Sequence, residues 1–296
     1  MCYFACVTQT SYGPAIAVTG ATGAQGGATV RALVEAGHPV RALTRRPDSP
    51  AARQVEGLGA QLAYADFADR ASLDAALAGA TALFAVTTPF GTSVEQEVTD
   101  GITLLDAAAA TGTVGHIVFT SAANADRDTG IPHFDSKHRI ERHLATLGVA
   151  WTVIAPAAFM DQYAEEWTLQ GLRDGVFSRP MPADRPLALI STVDIGAFAA
   201  LALTRPDEFT GRRIDLAADE RTGREIAAIL GATCGREVSY REAPIESVER
   251  FSTDLAAMFR YFGTVGLDVD VAGLRRGYPE VGWHSLADWA TGRSLV

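Results

Sequence analysis

A short apolar strand that runs straight into three evenly spaced glycines constrains this chain more than any other stretch. Ala15-Ile16-Ala17-Val18-Thr19 is apolar and rich in β-branched residues, the pattern of a buried parallel strand. Gly20, Gly23 and Gly26 follow at three-residue spacing, and Val30, Leu33 and Val34 then repeat with a helical period. Gly20 permits a tight turn, Gly23 lets the backbone approach a pyrophosphate, and Gly26 lets the helix pack closely on the sheet. The helix start offers free N–H groups to an anion. An ordinary βα turn is the plain alternative, but a position between strand and helix is the context that marks a dinucleotide site.

The first half continues in the same alternation. Strands are predicted at 39–44, 61–64, 82–86, 116–119 and 151–154, and a helix at 72–77. A long apolar helix through Ile102, Leu105 and Ala109 follows Thr92 and Glu95, which have capping-box spacing. Alternation with short links builds right-handed βαβ units, so the fold class is α/β, a Rossmann-type doubly wound parallel sheet. Beyond Pro156 the rhythm breaks, and prolines 180, 182 and 186 interrupt it. A helix is predicted over 193–203, a strand over 213–216 and a helix capped by Thr222 and Glu225. A strand over 237–240 and helices over 247–262 and 285–290 complete the chain. The organisation expected is a leader at 1–14 and an NAD(P)-binding domain at 15–156, joined by 186–204. A smaller α/β substrate domain takes 157–185 and 205–296.

The 296 residues, 48% of them hydrophobic, suffice for this core. A net charge of −10 without a basic block disfavours extended contact with nucleic acid. Cys2, Cys6 and Cys234 form neither a CxxC pair nor a Cys/His cluster, so no metal site is expected and a reducing compartment is implied. The apolar leader Met1–Val7 has no basic segment before it, and no run reaches the ~18 apolar residues of a membrane span. The expectation is a cytoplasmic monomer or homodimer acting on a small molecule, with neither membrane nor nucleic acid as partner.

The end of the second predicted strand chooses the cofactor. An acid there holds a ribose 2′-hydroxyl, whereas arginine suits a 2′-phosphate. Thr44-Arg45-Arg46-Pro47 carries no acid until Asp48, so NADP(H) is preferred and NAD(H) is the second choice. Asp66-Phe67 would meet the adenine edge, or Asp66 would cap the next helix. Thr87, Thr88 and Pro89 would contact the cofactor through backbone atoms. Ser121 stands where ligands of open α/β sheets gather, or is a turn hydroxyl. Phe159, Tyr163 and Trp167 either line a pocket for a flat, aromatic substrate or belong to the core.

Four segments together resemble the NmrA-like family of atypical short-chain dehydrogenase/reductases. They are Gly-Ala-Thr-Gly-Ala-Gln-Gly-Gly at 20–27, Val-Arg-Ala-Leu-Thr-Arg-Arg-Pro at 40–47, Ala-Asp-Phe-Ala-Asp at 65–69 and His133 to Glu141. The resemblance continues through Thr152–Pro156 and Phe159-Met160. It implies cofactor contacts from Gly20, Thr22, Gly23, Gln25, Gly26, Arg45, Arg46, Asp66, Phe67, Thr87, Thr88, Pro89, Ser121, Pro156 and Phe159. It also directs Lys137 at the nicotinamide ribose. The wider superfamily pairs that lysine with a tyrosine four residues earlier, where this chain has His133, which can still exchange a proton near neutral pH. The plain alternative for Lys137 is a surface pair with Glu141. Ala155 departs from the arginine the family commonly carries before the proline. The activity implied is an NAD(P)H-dependent oxidoreductase, reducing a carbonyl, quinone or conjugated aromatic molecule in secondary metabolism, with Lys137 and His133 as catalytic residues. The alternative is a non-catalytic NADP(H)-sensing regulator of the same fold.

Overall fold

The computed structural model describes residues 13–291, 293 and 295; the expected leader apart from Gly13 and Pro14, together with Cys2 and Cys6, lies outside them. The first half runs β1 (Ala15–Val18), α1 (Ala24–Glu35), β2 (Val40–Thr44), α2 (Pro50–Gly57), β3 (Gln61–Tyr64), α3 (Arg70–Leu77) and β4 (Ala80–Ala85). It continues through α4 (Val94–Ala110), β5 (His116–Thr120), α5 (Pro132–Leu144) and β6 (Ala150–Pro156). After β7 (Ala158–Phe159) and a 3-10 turn come α6 (Glu166–Arg173), β8 (Val176–Arg179), β9 (Pro186–Ile190), α7 (Thr192–Thr204) and α8 (Pro206–Phe209). The chain ends with β10 (Arg212–Leu216), β11 (Asp219–Thr222), α9 (Gly223–Thr233), β12 (Ser239–Glu242), α10 (Ile245–Glu249), α11 (Thr253–Thr264), α12 (Val271–Gly277) and α13 (Leu286–Ala290).

Seven parallel strands in the order β10-β6-β5-β4-β1-β2-β3 form the central sheet. Strand order reverses between β1 and β4, so a crevice opens at the carboxyl ends of those strands. Alternate residues feed two cores, as a sheet covered on both faces requires. Val18, Phe84 and Val118 face one, and Ala17, Leu83 and Phe119 face the other. No helix among the described residues is long and apolar enough to cross a membrane.

The second half differs from the sequence expectation in instructive ways. Residues 213–216, expected in the substrate domain, lie instead on the edge of the central sheet as β10, with Arg213 opposite Val153 and Asp215 opposite Ala155. Pairing satisfies the backbone groups that β6 would leave open, a long-range demand no local pattern reveals. Segment 186–204 divides: α7 lies on α1, with Gly196 against Ala28, whereas β9 joins β7 and β11 in a separate sheet. The prolines that read as interruptions lie between two strands or open one: Pro180 and Pro182 follow β8, and Pro186 is the first residue of β9. Ser93 rather than Thr92 caps α4 by accepting from the Gln96 N–H, and Ser252 restarts the helix predicted over 247–262 as α11. The capping box of Thr222 and Glu225 forms as expected.

The start of α1 is packed as its glycines anticipate. A Cβ on Gly26 would stand 2.6 Å from the Thr19 carbonyl oxygen and closer still to that of Gly20. Gly26→Ala is therefore expected to lower unfolding stability by about 1–3 kcal/mol, the usual cost of overpacking against backbone. Urea denaturation measures it, and an unchanged midpoint would show that helix and loop can separate freely.

Candidate active site

The crevice begins with a loop whose shape only glycine supplies at one point. Gly20 has φ +58°, and a Cβ there would meet the Val86 side chain at 2.5 Å. Gly23 differs. Its φ is −101° and a Cβ would meet the Gly20 carbonyl oxygen at 3.3 Å, a tight contact but a milder one than at Gly20 or Gly26. A bare backbone at this point is what close approach of a pyrophosphate uses. Gly23 occupies the N-cap of α1 without a side-chain cap, and no acidic residue lies in the first turn. The positive end of the helix is therefore left for an outside anion. Thr22 is exposed beside it, and the Gln25 side chain accepts the Thr120 hydroxyl at 2.7 Å, tying the helix start to the end of β5.

Arg45 and Arg46 follow β2 on the surface and form no ion pair with any described residue. Two uncommitted guanidiniums fit a 2′-phosphate. Asp66 accepts the Ala68 N–H at 3.0 Å, while the cap of α3 is Asp69, which accepts from Ala71 and Ser72. Asp66 and the half-buried Phe67 thus remain at the end of β3 without a capping duty. At the end of β5, Ser121 is buried and its hydroxyl has no hydrogen-bond partner among the described residues. An orphaned hydroxyl at the carboxyl end of a central strand is the position a bound ligand would satisfy. Cradle, helix end, arginines and orphaned hydroxyl together fit a dinucleotide.

Next to them stands an ion pair that sequence reasoning missed. The Lys137 ammonium lies 2.7 Å from Glu97 of α4, and Glu97 is fully buried. The ammonium also donates to the Thr87 carbonyl at 2.5 Å and approaches the Thr87 hydroxyl at 3.2 Å. Glu97 further accepts from the hydroxyls of Thr87 (2.9 Å) and Ser136 (2.5 Å). Lys137 therefore does not pair with Glu141, which holds Arg213 at 3.1 Å instead. A signal for Glu97 existed: it shares the buried stripe of α4 with Gly101, Leu104, Leu105 and Ala108. An acid on an apolar stripe needs a buried partner.

His133 sits one turn before Lys137. Pro132 opens α5, and Ile131 at the N-cap has no side-chain acceptor. Asp254 of α11 fills that place, accepting the His133 backbone N–H at 3.3 Å and its Nδ1 at 2.7 Å. The ring packs between Phe90 (centroids 5.7 Å) and Phe134 (4.9 Å), and Phe90 is exposed. Thr88, exposed, and Pro89, buried, complete the loop over β4. Across the sheet, Pro156 is buried at the end of β6, and Phe159 of β7 is half-buried. Tyr163 belongs to the core, edge-on to Phe177 at 5.4 Å, and Trp167 covers the buried Arg179 at 4.0 Å. Of the pocket and core alternatives, Tyr163 takes the core, whereas Trp167 is exposed and belongs to neither.

β6 carries Ala155 where the resemblance leads one to expect arginine, and an arginine of the neighbouring strand contacts the loop after β5. Arg213 donates to the Ala122 carbonyl at 2.9 Å and to Asp215 at 2.6 Å, and Asp215 accepts the Asn124 N–H at 3.3 Å. Asn124, at φ +64°, donates from its amide to Tyr261 of α11. The loop after β5 is thus fastened from β10 and α11.

The NmrA-like family model matches residues 14–284 of this chain. The chain belongs to the NmrA-like family. Among curated relatives of this NmrA-like protein, a (4-alkanoyl-5-oxo-2,5-dihydrofuran-3-yl)methyl phosphate reductase from Streptomyces griseus is 32% identical, with 78% of each chain covered. An NAD(P)H azoreductase from Xenophilus azovorans is 31% identical over 81% of each chain. An NADPH-dependent quinone oxidoreductase from Escherichia coli, crystallised with NADPH, superposes with a TM-score of 0.78 at 25% identity, covering 93% of this chain and 98% of its own.

Burial holds the Lys137 ammonium below its ordinary value of 10.5, while Glu97 pulls the other way. Glu97→Gln removes that support and leaves a buried cation without its anion, at a cost of about 3–5 kcal/mol near neutral pH. With the folded-state value depressed further, the folded protein releases this proton before the unfolded chain does. Between the two values the unfolded state holds more protons, so stability rises with pH. The deficit of the variant should therefore narrow as denaturation is measured from pH 7 towards pH 10. A deficit independent of pH would show that Glu97 acts only through hydrogen bonds.

Proposed function

We propose that this NmrA-like protein is an NAD(P)H-dependent reductase with a preference for NADP(H), acting on a small, flat, conjugated carbonyl, quinone or related acceptor. The observation that carries the proposal is the juxtaposition of Lys137 and His133, one helical turn apart, beside the glycine cradle and the β4 loop. The names of the Streptomyces and Xenophilus relatives support reduction as the reaction class.

The pyrophosphate would lie on Gly23 and the start of α1, the 2′-phosphate between Arg45 and Arg46, and the adenine near Asp66 and Phe67. When bound, the cofactor supplies a hydride. Lys137 fixes the Thr87–Pro89 backbone and keeps a positive charge under that end of the cleft. Its N–H groups are directed at Thr87 and Glu97, so proton delivery falls to His133. The exposed Phe90 ring beside His133 offers a flat substrate an apolar wall. A nucleotide sensor of the same fold would share the cradle and arginines but would have no use for the proton donor.

Arg45→Ala with Arg46→Ala is expected to weaken NADPH binding about ten- to a hundredfold, the worth of a charge-assisted contact of roughly 1.5–3 kcal/mol. NADH binding should hardly change. Calorimetric titration decides, and equal affinities of the unaltered protein for the two cofactors would refute the preference.

Enzyme and sensor separate on turnover. Lys137→Met alone would strand Glu97, so the neutral pair Lys137→Met with Glu97→Gln is the fair variant. NADPH oxidation across quinones, enones and ketones should fall about a hundredfold or more, with cofactor affinity changed far less. Equal rates would remove Lys137 from catalysis, and no turnover by the unaltered protein would favour the sensor.

A further inference from the structure

The His133 imidazole is held from outside its own helix. Its Nδ1 lies 2.7 Å from the Asp254 carboxylate, which arrives on α11 from 121 residues further along the chain. A carboxylate can only accept, so Nδ1 must carry a hydrogen. In the neutral ring Nε2 is then bare, and in the charged ring Nε2 is the proton that remains to be given. Nε2 has no hydrogen-bond partner among the described residues, and the side chain keeps 11% of its surface exposed. Phe90 and Phe134 restrain the ring at centroid distances of 5.7 and 4.9 Å.

Electrostatics gives the carboxylate a second purpose. His133 stands in the first turn of α5, where the helix end is positive, and Lys137 adds another charge one turn on. Both oppose a charged imidazole. Asp254 faces them from α11, and Asp128, Asp135 and His138 belong to the same group of charges, with His138 opposing the acids. The two rings against His133 carry no charge.

We infer that Asp254 is the positioning residue that makes His133 the proton donor of this site, by fixing Nδ1–H so that Nε2–H faces the substrate oxygen. The inference rests on the reductase reading above. The step balances as follows: the carbonyl carbon gains the hydride pair, its π pair moves to oxygen, and that oxygen takes the Nε2 proton. The reduced nicotinamide is left oxidised, the imidazolium is left neutral, and water restores its proton. Asp254 touches neither substrate nor reacting atoms; it selects the tautomer and orients the ring. The competing explanation is purely structural, because the same carboxylate also accepts the His133 backbone N–H at 3.3 Å and so serves α5 as a cap.

Asp254→Asn separates the two, since the amide oxygen can still accept both N–H groups while the charge is gone. Nitrogen-15 NMR of histidine-labelled protein, without cofactor, should show His133 with Nδ1 protonated and Nε2 bare in its neutral form. The variant should keep Nδ1 protonated, because the amide oxygen still accepts that hydrogen. In NADPH oxidation, Asp254→Asn should lower kcat about ten- to a hundredfold and move the alkaline fall of the rate to lower pH, with little effect on KM for NADPH. His133→Gln should abolish that fall together with most of the rate. A neutral His133 carrying its hydrogen on Nε2, with turnover intact, overturns the role of Asp254 alone. An unmoved pH profile in Asp254→Asn leaves it a cap and overturns the inference too. No turnover by the unaltered protein, whatever the tautomer, overturns the reductase reading and the donor with it.

Discussion

The buried pair of Lys137 and Glu97 is the constraint on which the site depends. A carboxylate with no exposed surface is tolerable only when every oxygen is answered, and here Lys137, Thr87 and Ser136 answer both. Those partners come from α5 and from the segment after β4, while the acid itself comes from α4. One charge therefore fixes the relative positions of three pieces of chain that meet at the carboxyl edge of the sheet. Gly101 continues the same contact, since a Cβ on it would meet Ile140 of α5 at 2.6 Å. The helices can approach this closely only because the polar group between them is fully satisfied.

This geometry also alters the part Lys137 can play. A free lysine is a flexible point charge with three donors to offer. Here the donors face Thr87 and Glu97, and what remains for a ligand is the field of a fixed cation beside the Thr87–Pro89 backbone. A fixed charge costs no reorganisation when negative charge develops nearby, which is the condition for electrostatic stabilisation. It is a poor proton donor for the same reason. The division of labour proposed for Lys137 and His133 rests on hydrogen-bond geometry rather than on residue type.

The features legible in sequence were those written locally. Strand, glycines and helix follow one another without a break from Ala15 to Glu35, and the structure places Gly20, Gly23 and Gly26 at the turn, the bare helix start and the tight packing contact. Arg45 and Arg46 were legible because they end a strand. Glu97 was half legible, as an acid on an apolar stripe, but its partner lay 40 positions away. Asp254 and Arg213 were not legible at all. Each looks like an ordinary surface charge until the topology brings it 121 positions back to His133, or 91 positions back to Ala122. Prolines hid β8 and β9, because a proline beside a strand and one inside it look alike in a single sequence.

Ala155 shows how such distance can conceal a substitution of means. The loop after β5 runs past a buried, partnerless Ser121 hydroxyl and through Asn124 in a left-handed conformation, so it needs fastening. β10 lies beside β6 in parallel register, with Asp215 opposite Ala155 itself, and Arg213 two residues earlier reaches the Ala122 carbonyl. Small Ala155 leaves room on its own strand, and the neighbouring strand provides the charge. Because α11 holds the same loop through Tyr261 and holds His133 through Asp254, elements from the end of the chain complete the site on both sides of the crevice. The end of the chain therefore bears on the candidate site directly: α11 holds both the loop after β5 and the His133 imidazole.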